Sequence, residues 1–279
     1  MVILVTGASG QLGQSIQFIA SNYSDCQFIF ASSTDLDITN QERVNHFFDT
    51  NTIDFCINTA AYTAVDKAES ETEKAESINV VGPRNLAIAC QKNQVKLLHI
   101  STDFVFDGAS SKPYLETDAT NPLGIYGKTK LEGEQAVENA MNDYFIIRTS
   151  WVYSQFGNNF MKTMLRLASE RDTLSIVSDQ IGSPTNAVDL AKALLSIIQS
   201  NSSKYGIYNF SNEGIASWYD FATEIFRINK VVINVNPIPT EAFPTPAKRP
   251  KYSLLDKSKI KNAFGIDIKT WQESLLQTL

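Results

Sequence analysis

The feature that most constrains this chain is a glycine-spaced turn set between its first apolar run and its first amphipathic segment. Thr6-Gly7-Ala-Ser-Gly10-Gln11-Leu12-Gly13 follows Val2-Ile-Leu-Val5 directly and leads into Leu12–Ala20, which has helical spacing. Glycines are needed where a backbone turns sharply, where it approaches a pyrophosphate, and where a helix lies close on a strand. The free N–H groups and partial positive charge of the helix start then face the phosphates. A glycine triplet alone is weak evidence. Its place between a strand and a helix is what makes it a dinucleotide-binding turn.

A turn of this kind predicts strand-helix-strand repetition, and the next ~130 residues supply it. Phe28–Ala31, Asp54–Asn58, Val95–Ile100 and Tyr144–Arg148 are short runs rich in β-branched and aromatic residues. Their apolarity is continuous rather than alternating, which predicts strands buried on both faces and hence a parallel sheet. Gln41–Phe48, Glu69–Cys90 and Lys128–Ala140 have helical spacing. The expected fold class is α/β, a Rossmann-like doubly wound parallel sheet with a smaller C-terminal substrate-binding lobe. Residues 1–150 form the dinucleotide-binding domain. Residues 151–279 are mainly the lobe, with some segments returning to the sheet. In that second part Asn158–Ser169 and Ala187–Ser200 read as helices and Tyr205–Phe210 as a strand. Ser217-Trp-Tyr-Asp220 starts a further helix with a capping box. Five prolines in Pro237–Pro250 exclude regular structure and predict a loop over a site, or a plain linker.

Composition narrows the function classes. A net charge of −6 without a basic stripe argues against nucleic acid as a partner. No apolar stretch is long enough for a membrane helix, and the first apolar run breaks too early, at Gly7, for a signal peptide. Three cysteines, Cys26, Cys56 and Cys90, lie far apart in apolar surroundings, as in a reduced cytoplasmic protein. His46 and His99 have no metal-ligand spacing, and no metal is expected.

Chemistry concentrates in one constellation. Tyr126-Gly-Lys-Thr-Lys130 puts a phenol and an ammonium on one helix face, with Lys128 turned elsewhere. Ser101-Thr102-Asp103 ends a strand, the place where ligands lie in such sheets. Asn58-Thr-Ala60-Ala61-Tyr62-Thr63 ends the preceding strand with small residues that leave room for a nicotinamide. An ordinary phenol, near pKa ~10, is too weak an acid to lead proton transfer at neutral pH. A nearby ammonium is therefore expected to lower it, so that Tyr126 protonates a carbonyl oxygen while hydride reaches the carbon. Lys130 would tune that acid and hold the ribose, and Thr102 would hydrogen-bond the same oxygen. At the end of the second strand, where a NAD-selective enzyme carries an acid, stands Ser32-Ser33-Thr34, with Asp35 and Asp37 only later. NADPH is thus the expected cofactor, with NADH accepted.

The Gly-x-x-Gly-x-x-Gly spacing resembles the extended short-chain dehydrogenase/reductase superfamily, whose members set a pair similar to Asp37-Ile38 against the adenine. The resemblance goes further. Ala60–Glu69, Ser101–Phe106, Arg148-Thr-Ser-Trp151-Val-Tyr153 and Gly157–Phe160 are similar to the dTDP-4-dehydrorhamnose reductase family. So are Asp179–Thr185, Trp218-Tyr219 and Pro244–Pro250, in the family's order along nearly the whole chain. The resemblance implies a dTDP-linked deoxy-keto sugar as substrate. It implies Tyr126, Lys130 and Thr102 as catalytic residues, with Thr102, Asp103 and Trp151 on the substrate. It implies Gly10-Gln11-Leu12 and Ala61-Tyr62-Thr63 on the cofactor. It leaves a homodimer open, but the metal that joins some relatives through a first-helix glutamate is not carried over, because position 15 is Ser15. From the residues themselves, Trp151 offers a face for a sugar ring or is a core tryptophan. Asn159 donates to a diphosphate or caps the next helix. Arg249 pairs with the diphosphate or is a solvated side chain.

Sugar-nucleotide 4-epimerases and 4,6-dehydratases share the turn and the Tyr/Lys pair. A dehydratase needs a further acid/base pair and resembles Thr-Asp-Glu where this chain has Thr102-Asp103-Phe104. A non-catalytic regulatory subunit has no need of the proton relay, and a small-molecule ketone reductase is distinguished only by its substrates.

Overall fold

The computed structural model of the chain describes residues 1–278. Its centre is a six-stranded sheet in the order β10-β5-β4-β3-β1-β2, with every neighbouring pair parallel. The strands are β1 (Val2–Thr6), β2 (Gln27–Ala31), β3 (Phe55–Asn58), β4 (Lys96–Thr102), β5 (Tyr144–Thr149) and β10 (Gly206–Asn209). From β1 the chain goes first to β2 on one side and then to β3 on the other. This order opens a crevice beyond the carboxyl ends of β1 and β3, where ligands bind in open α/β sheets.

Alternate residues of the buried strands feed two cores. Ile3, Val5, Ile57, Leu98 and Ile147 face one layer, which α1 (Gln11–Ile19) and α8 (Ala187–Gln199) cover. Leu4, Cys56, Leu97 and Ile146 face the other. That layer is covered by α2 (Gln41–Thr50), α5 (Gly82–Asn93) and α6 (Ile125–Ala140). A third core lies in a smaller body whose Met161, Leu174, Phe221 and Trp271 are buried together. It is built from α7 (Phe160–Glu170), α9 (Trp218–Ile228), the paired strands β7 (Thr173–Val177) and β12 (Asn234–Ile238), and α11 (Trp271–Leu276). Short pairs β6 (Val152–Tyr153) with β9 (Thr185–Asn186), and β8 (Ile181–Gly182) with β11 (Ala216–Ser217), join this body to the sheet. Ser217 caps α9 in a full capping box with Asp220. Among the described residues no helix is long and apolar enough to cross a membrane.

Two expectations need correction. The segment Glu69–Cys90 is not one helix. A short α3 (Val65–Ala68) precedes α4 (Thr72–Glu76), a π turn spans Ser77–Val81, and α5 follows. Pro83 has no N–H to give to the carbonyl four residues before it, so the regular ladder cannot run through Asn79. The proline-rich segment is also not wholly irregular. Pro237 lies in β12, on a two-stranded sheet where a missing donor is tolerated, and Thr240–Ala242 forms a 3-10 turn.

The carbonyl that Pro83 leaves free meets α6. A Cβ on Gly133 would stand 2.1 Å from Asn79 O, and one on Gly127 would stand 2.2 Å from Phe104 O. Since backbone cannot yield as a flexible side chain does, Gly133→Ala should lower stability by about 1–3 kcal/mol. The measurement is the urea midpoint, and an unchanged midpoint would mean that α6 slides freely on the π turn.

Candidate active site

The turn after β1 is shaped by three glycines with separate jobs. Gly7 has φ +67°, and a Cβ there would lie 2.6 Å from Ala60 N. Gly13 packs so closely that its Cβ would meet Gly7 O at 2.6 Å. Gly10 precedes α1 without any side-chain cap, so the first-turn amides of the helix face the crevice with no side chain of their own in the way. A bare helix start behind a turn that only glycine can make fits a diphosphate. Gln11 looks across to the smaller body: its Nε2 donates to Val152 O at 3.0 Å, and its Oε1 accepts from Asn159 Nδ2 at 2.8 Å. Leu12 is buried beneath the turn.

After β2, Ser32 is half-buried and engaged by an acid. Its N and Oγ both donate to Asp35 Oδ2, at 2.9 and 2.6 Å, and these bonds hold that carboxyl below its usual range. Sequence distance hid this, since Asp35 reaches back across a turn. Asp37 accepts from Thr39 N and Oγ1, and Ile38 is buried against Gly82.

The segment Ala60–Thr63 is held by two buried asparagines. Asn58 Oδ1 accepts from Thr6 Oγ1 at 2.7 Å and from Ala60 N at 3.1 Å. Its Nδ2 is 3.0 Å from His99 Nδ1, which places His99 in the core as a hydrogen-bonded residue. Asn79 binds both backbone groups of Tyr62, accepting from N at 2.9 Å and donating to O at 3.1 Å. The same amide donates to Thr129 Oγ1 at 3.2 Å, inside the Tyr126–Lys130 motif. Ala61 and Thr63 lie on the segment so fixed. Asn79 went unnoticed in the sequence because nothing in its neighbourhood marks it.

Tyr126 and Lys130 follow each other by one turn of α6, across from Thr102 at the end of β4. Glu69 Oε1 accepts from Ile125 N at 2.8 Å and so caps the start of this helix, a position where negative charge is favoured. The Tyr126 ring stands edge-on to Phe104 at 5.5 Å, and the helix that carries it packs against the end of β4 where Thr102 lies. Thr102 Oγ1 donates to Asp103 Oδ1 at 3.1 Å. Asp103 is buried, and its Oδ2 has no well-formed hydrogen bond, although the Ser253 hydroxyl lies nearby. Burial pushes this carboxyl up to about 6 against the pull of Ser253 and Thr102.

The expected lowering of the phenol is not found. Burial pushes Tyr126 up to about 12, more than the Thr102 bond offsets, and the Asp103 charge adds to the rise. Lys130 is not among the groups that shift the phenol, and its ammonium donates to Ile100 O at 2.7 Å. Burial pulls Lys130 itself down to about 8 against the Glu134 carboxylate. Lys128 is exposed and pairs with Glu132.

The remaining candidates are engaged by the protein. Trp151 has φ +47° and stacks on Trp218 at 3.7 Å with 12° between planes. Trp218 Nε1 donates to Gln180 Oε1 at 3.1 Å. Asn159 caps α7 by accepting from Lys162 N at 3.1 Å, while its amide serves Gln11 and Ser154 O. Arg249 grips Asp66 on α3 with Nη1 and Nη2, at 3.1 and 2.8 Å, and this pairing holds the Asp66 carboxyl below its usual range. Ala247 N reaches the same carboxylate at 3.2 Å, so the proline-rich segment is fastened beside the Ala60–Thr63 segment.

A family model described as the RmlD substrate binding domain matches residues 1–279. A dTDP-4-dehydrorhamnose reductase of Aggregatibacter actinomycetemcomitans is 46% identical over 98% of this chain and 96% of its own length. The crystal structure of a dTDP-4-dehydrorhamnose reductase from Clostridium acetobutylicum superposes with a TM-score of 0.95 at 46% identity, covering 100% of this chain and 98% of that one. The corresponding Bacillus anthracis enzyme, solved with NADP, has a TM-score of 0.95 at 42% identity, covering 99% of this chain and 98% of that one. The chain belongs to the dTDP-4-dehydrorhamnose reductase family, whose members are nicotinamide-dependent oxidoreductases.

Were the cofactor ribose to lie at Ser32, the Asp35 carboxylate there would disfavour a 2′-phosphate and favour a 2′-hydroxyl, which limits the preference for NADPH expected from the sequence. Asp35→Asn should raise the NADPH-to-NADH ratio of kcat/KM several-fold. An unmoved ratio would show that another segment reads the ribose.

Proposed function

We propose that this chain reduces the C4 ketone of dTDP-4-dehydro-6-deoxy-L-mannose to dTDP-L-rhamnose, with Tyr126 as the proton donor. The observation that carries this reading is the placement of Tyr126 and Lys130 one turn apart on α6, packed against the end of β4 that carries Thr102, next to a bare helix start. Membership of the family supports the substrate. Gly10–Gly13 would hold the diphosphate and Ala60–Thr63 would line the nicotinamide of a dinucleotide, which would supply the hydride. NADPH is the expected form, with NADH accepted.

The protein's part is to hold and move a proton. At neutral pH Tyr126 carries its proton as any phenol does, and burial, which pushes it up to about 12, makes that proton harder to release. It releases that proton only when negative charge builds on the carbonyl oxygen and positive charge stands close to the phenolate that forms. Lys130 supplies such a charge once its ammonium turns from Ile100 O toward the ribose and the phenol. Thr102 donates to the carbonyl oxygen when it gives up Asp103 Oδ1. Asp103, with one oxygen unpartnered, then faces the sugar as an acceptor, or as a donor when protonated. Trp151, stacked on Trp218, is the aromatic side chain assigned to the sugar ring. Asn159 and Arg249 reach the diphosphate only by leaving Gln11 and Asp66. The smaller body is the substrate side of the crevice.

Elimination is disfavoured by one position. Phe104 stands edge-on to Tyr126 where a dehydratase needs a carboxylate base, and the lack of a positioned base costs of order 10²-fold or more. The purified protein should therefore oxidise NADPH in step with the 4-keto sugar and leave dTDP-glucose untouched. Formation of a 4-keto-6-deoxy product from dTDP-glucose without net cofactor use would overturn the reading. Tyr126→Phe should lower kcat by roughly 10²–10⁴ with cofactor affinity nearly intact. Near-normal turnover in that variant would remove Tyr126 from the mechanism.

A further inference from the structure

Two turns beyond Tyr126 and one beyond Lys130, on the same face of α6, stands Glu134. Its side chain is 1% exposed. Ser101 Oγ donates to Oε1 in a short bond. Arg148, itself buried on β5, donates from Nε at 3.0 and 3.2 Å and from Nη2 at 2.7 Å. The guanidinium is fixed in turn by Glu116 O, at 3.2 Å from Nη1, and by the Phe106 ring beneath it at 5.2 Å. A buried ion pair of this kind is weak support for stability alone, because well-packed apolar residues of similar volume often serve as well. Ser101 instead ties the carboxylate beside the reacting groups, being adjacent to Thr102, while Lys130, one turn back on the same helix, donates to Ile100 O next to Ser101.

We propose that Glu134 is a positioning residue for the reduction, a clamped buried carboxylate that supplies the counter-charge for the Lys130 ammonium. The proposal rests on the reading of Tyr126 and Lys130 given above. Tyr126 and Glu134 share a face of α6 with Lys130, His99 on β4 feels its charge, and Asp103, beyond β4, lies against Thr102. Arg148 lies on β5, held against Glu134. His99 is fully buried and kept neutral by burial first and by Lys130 second. Asp103 acts on the phenol. Glu134 is the carboxylate that acts on the ammonium, against the burial that pulls Lys130 down to about 8. Lys130 helps Tyr126 only while charged, so activity is lost as pH rises through its pKa. Neutralising Glu134 lowers that pKa and brings the loss to lower pH.

The test is the pH profile of kcat/KM for the wild type, Glu134→Gln, Glu134→Asp and the pair Glu134→Gln/Arg148→Gln. The glutamine variant should show its alkaline limb lower by about one pH unit or more, the scale of one nearby charge. The aspartate variant, which keeps the charge, should return most of the shift even if kcat stays low. The double variant removes the guanidinium left unopposed and so guards against misfolding, and its limb should still lie below that of the wild type. A folded Glu134→Gln with an unmoved limb would overturn the proposal. So would a double variant with the wild-type limb, should the single variant not fold. Lys130→Met separates the two possible failures. If it keeps both turnover and the limb, the reading of Lys130 itself is wrong. If it loses the limb while Glu134→Gln keeps it, only the role of Glu134 falls.

Discussion

The carbonyls of Asn79 and Phe104 stand directly against the backbone of α6 at Gly133 and Gly127, within 2.1 and 2.2 Å of where a Cβ would be. That closeness brings Tyr126 to Thr102 and Lys130 to Ile100 O, because a helix carrying ordinary side chains at those positions would sit farther off the sheet. The Asn79 carbonyl is available because Pro83 cannot bond it. A proline in one helix and a glycine in the next thus act together.

Polar side chains then fix the crevice from beneath. Asn58 ties β1, β3 and β4 at their ends through Thr6 and His99, and Asn79 ties Tyr62 to Thr129. Each buried amide has its donor and acceptor sides used, which is what makes burying it tolerable. The segment that would meet a nicotinamide is therefore pinned to the helix carrying the phenol by one side chain. Tyr62 extends the hold, its hydroxyl donating to Glu71 at 3.1 Å.

Local signals made the sheet and turn legible in the sequence. Continuous apolar runs gave the strands from β1 to β5 to within a few residues, and the glycines marked the turn before any contact was known. Tyr126, Lys130 and Thr102 could be grouped because strand ends and one helix turn bring them together in any fold of this type. The broken helix at Ser77–Val81 was hidden, since its π turn follows from Pro83 and from the packing of α6 on the Asn79 carbonyl rather than from local spacing. Pairs made by folding were hidden too: Asp66 with Arg249, Glu134 with Arg148, Trp151 with Trp218. Periodicity says which face of an element is buried, not which distant residue it meets. Asp35 comes after the expected ribose position in sequence, yet a tight turn returns its carboxylate to Ser32.

The difference at Tyr126 is more instructive than these. Charge logic applied to the sequence lowers the phenol, because an ammonium is one helix turn away. In the folded chain desolvation wins, and it acts on each buried acid and base in the direction of its neutral form. Tyr126 rises to about 12, Asp103 to about 6, and Lys130 falls to about 8. All three shifts come from the dryness that also makes a nearby charge effective. Tyr126 is half-buried, so a charge brought close to it acts with less water to screen it than in bulk solvent, and Lys130 is one hydrogen bond away from providing such a charge. Ile100 O holds the ammonium in the meantime. An acid kept weak until its partner is drawn toward it does not lose its proton to solvent, and it gives that proton up only where a ligand has rearranged the charges around it.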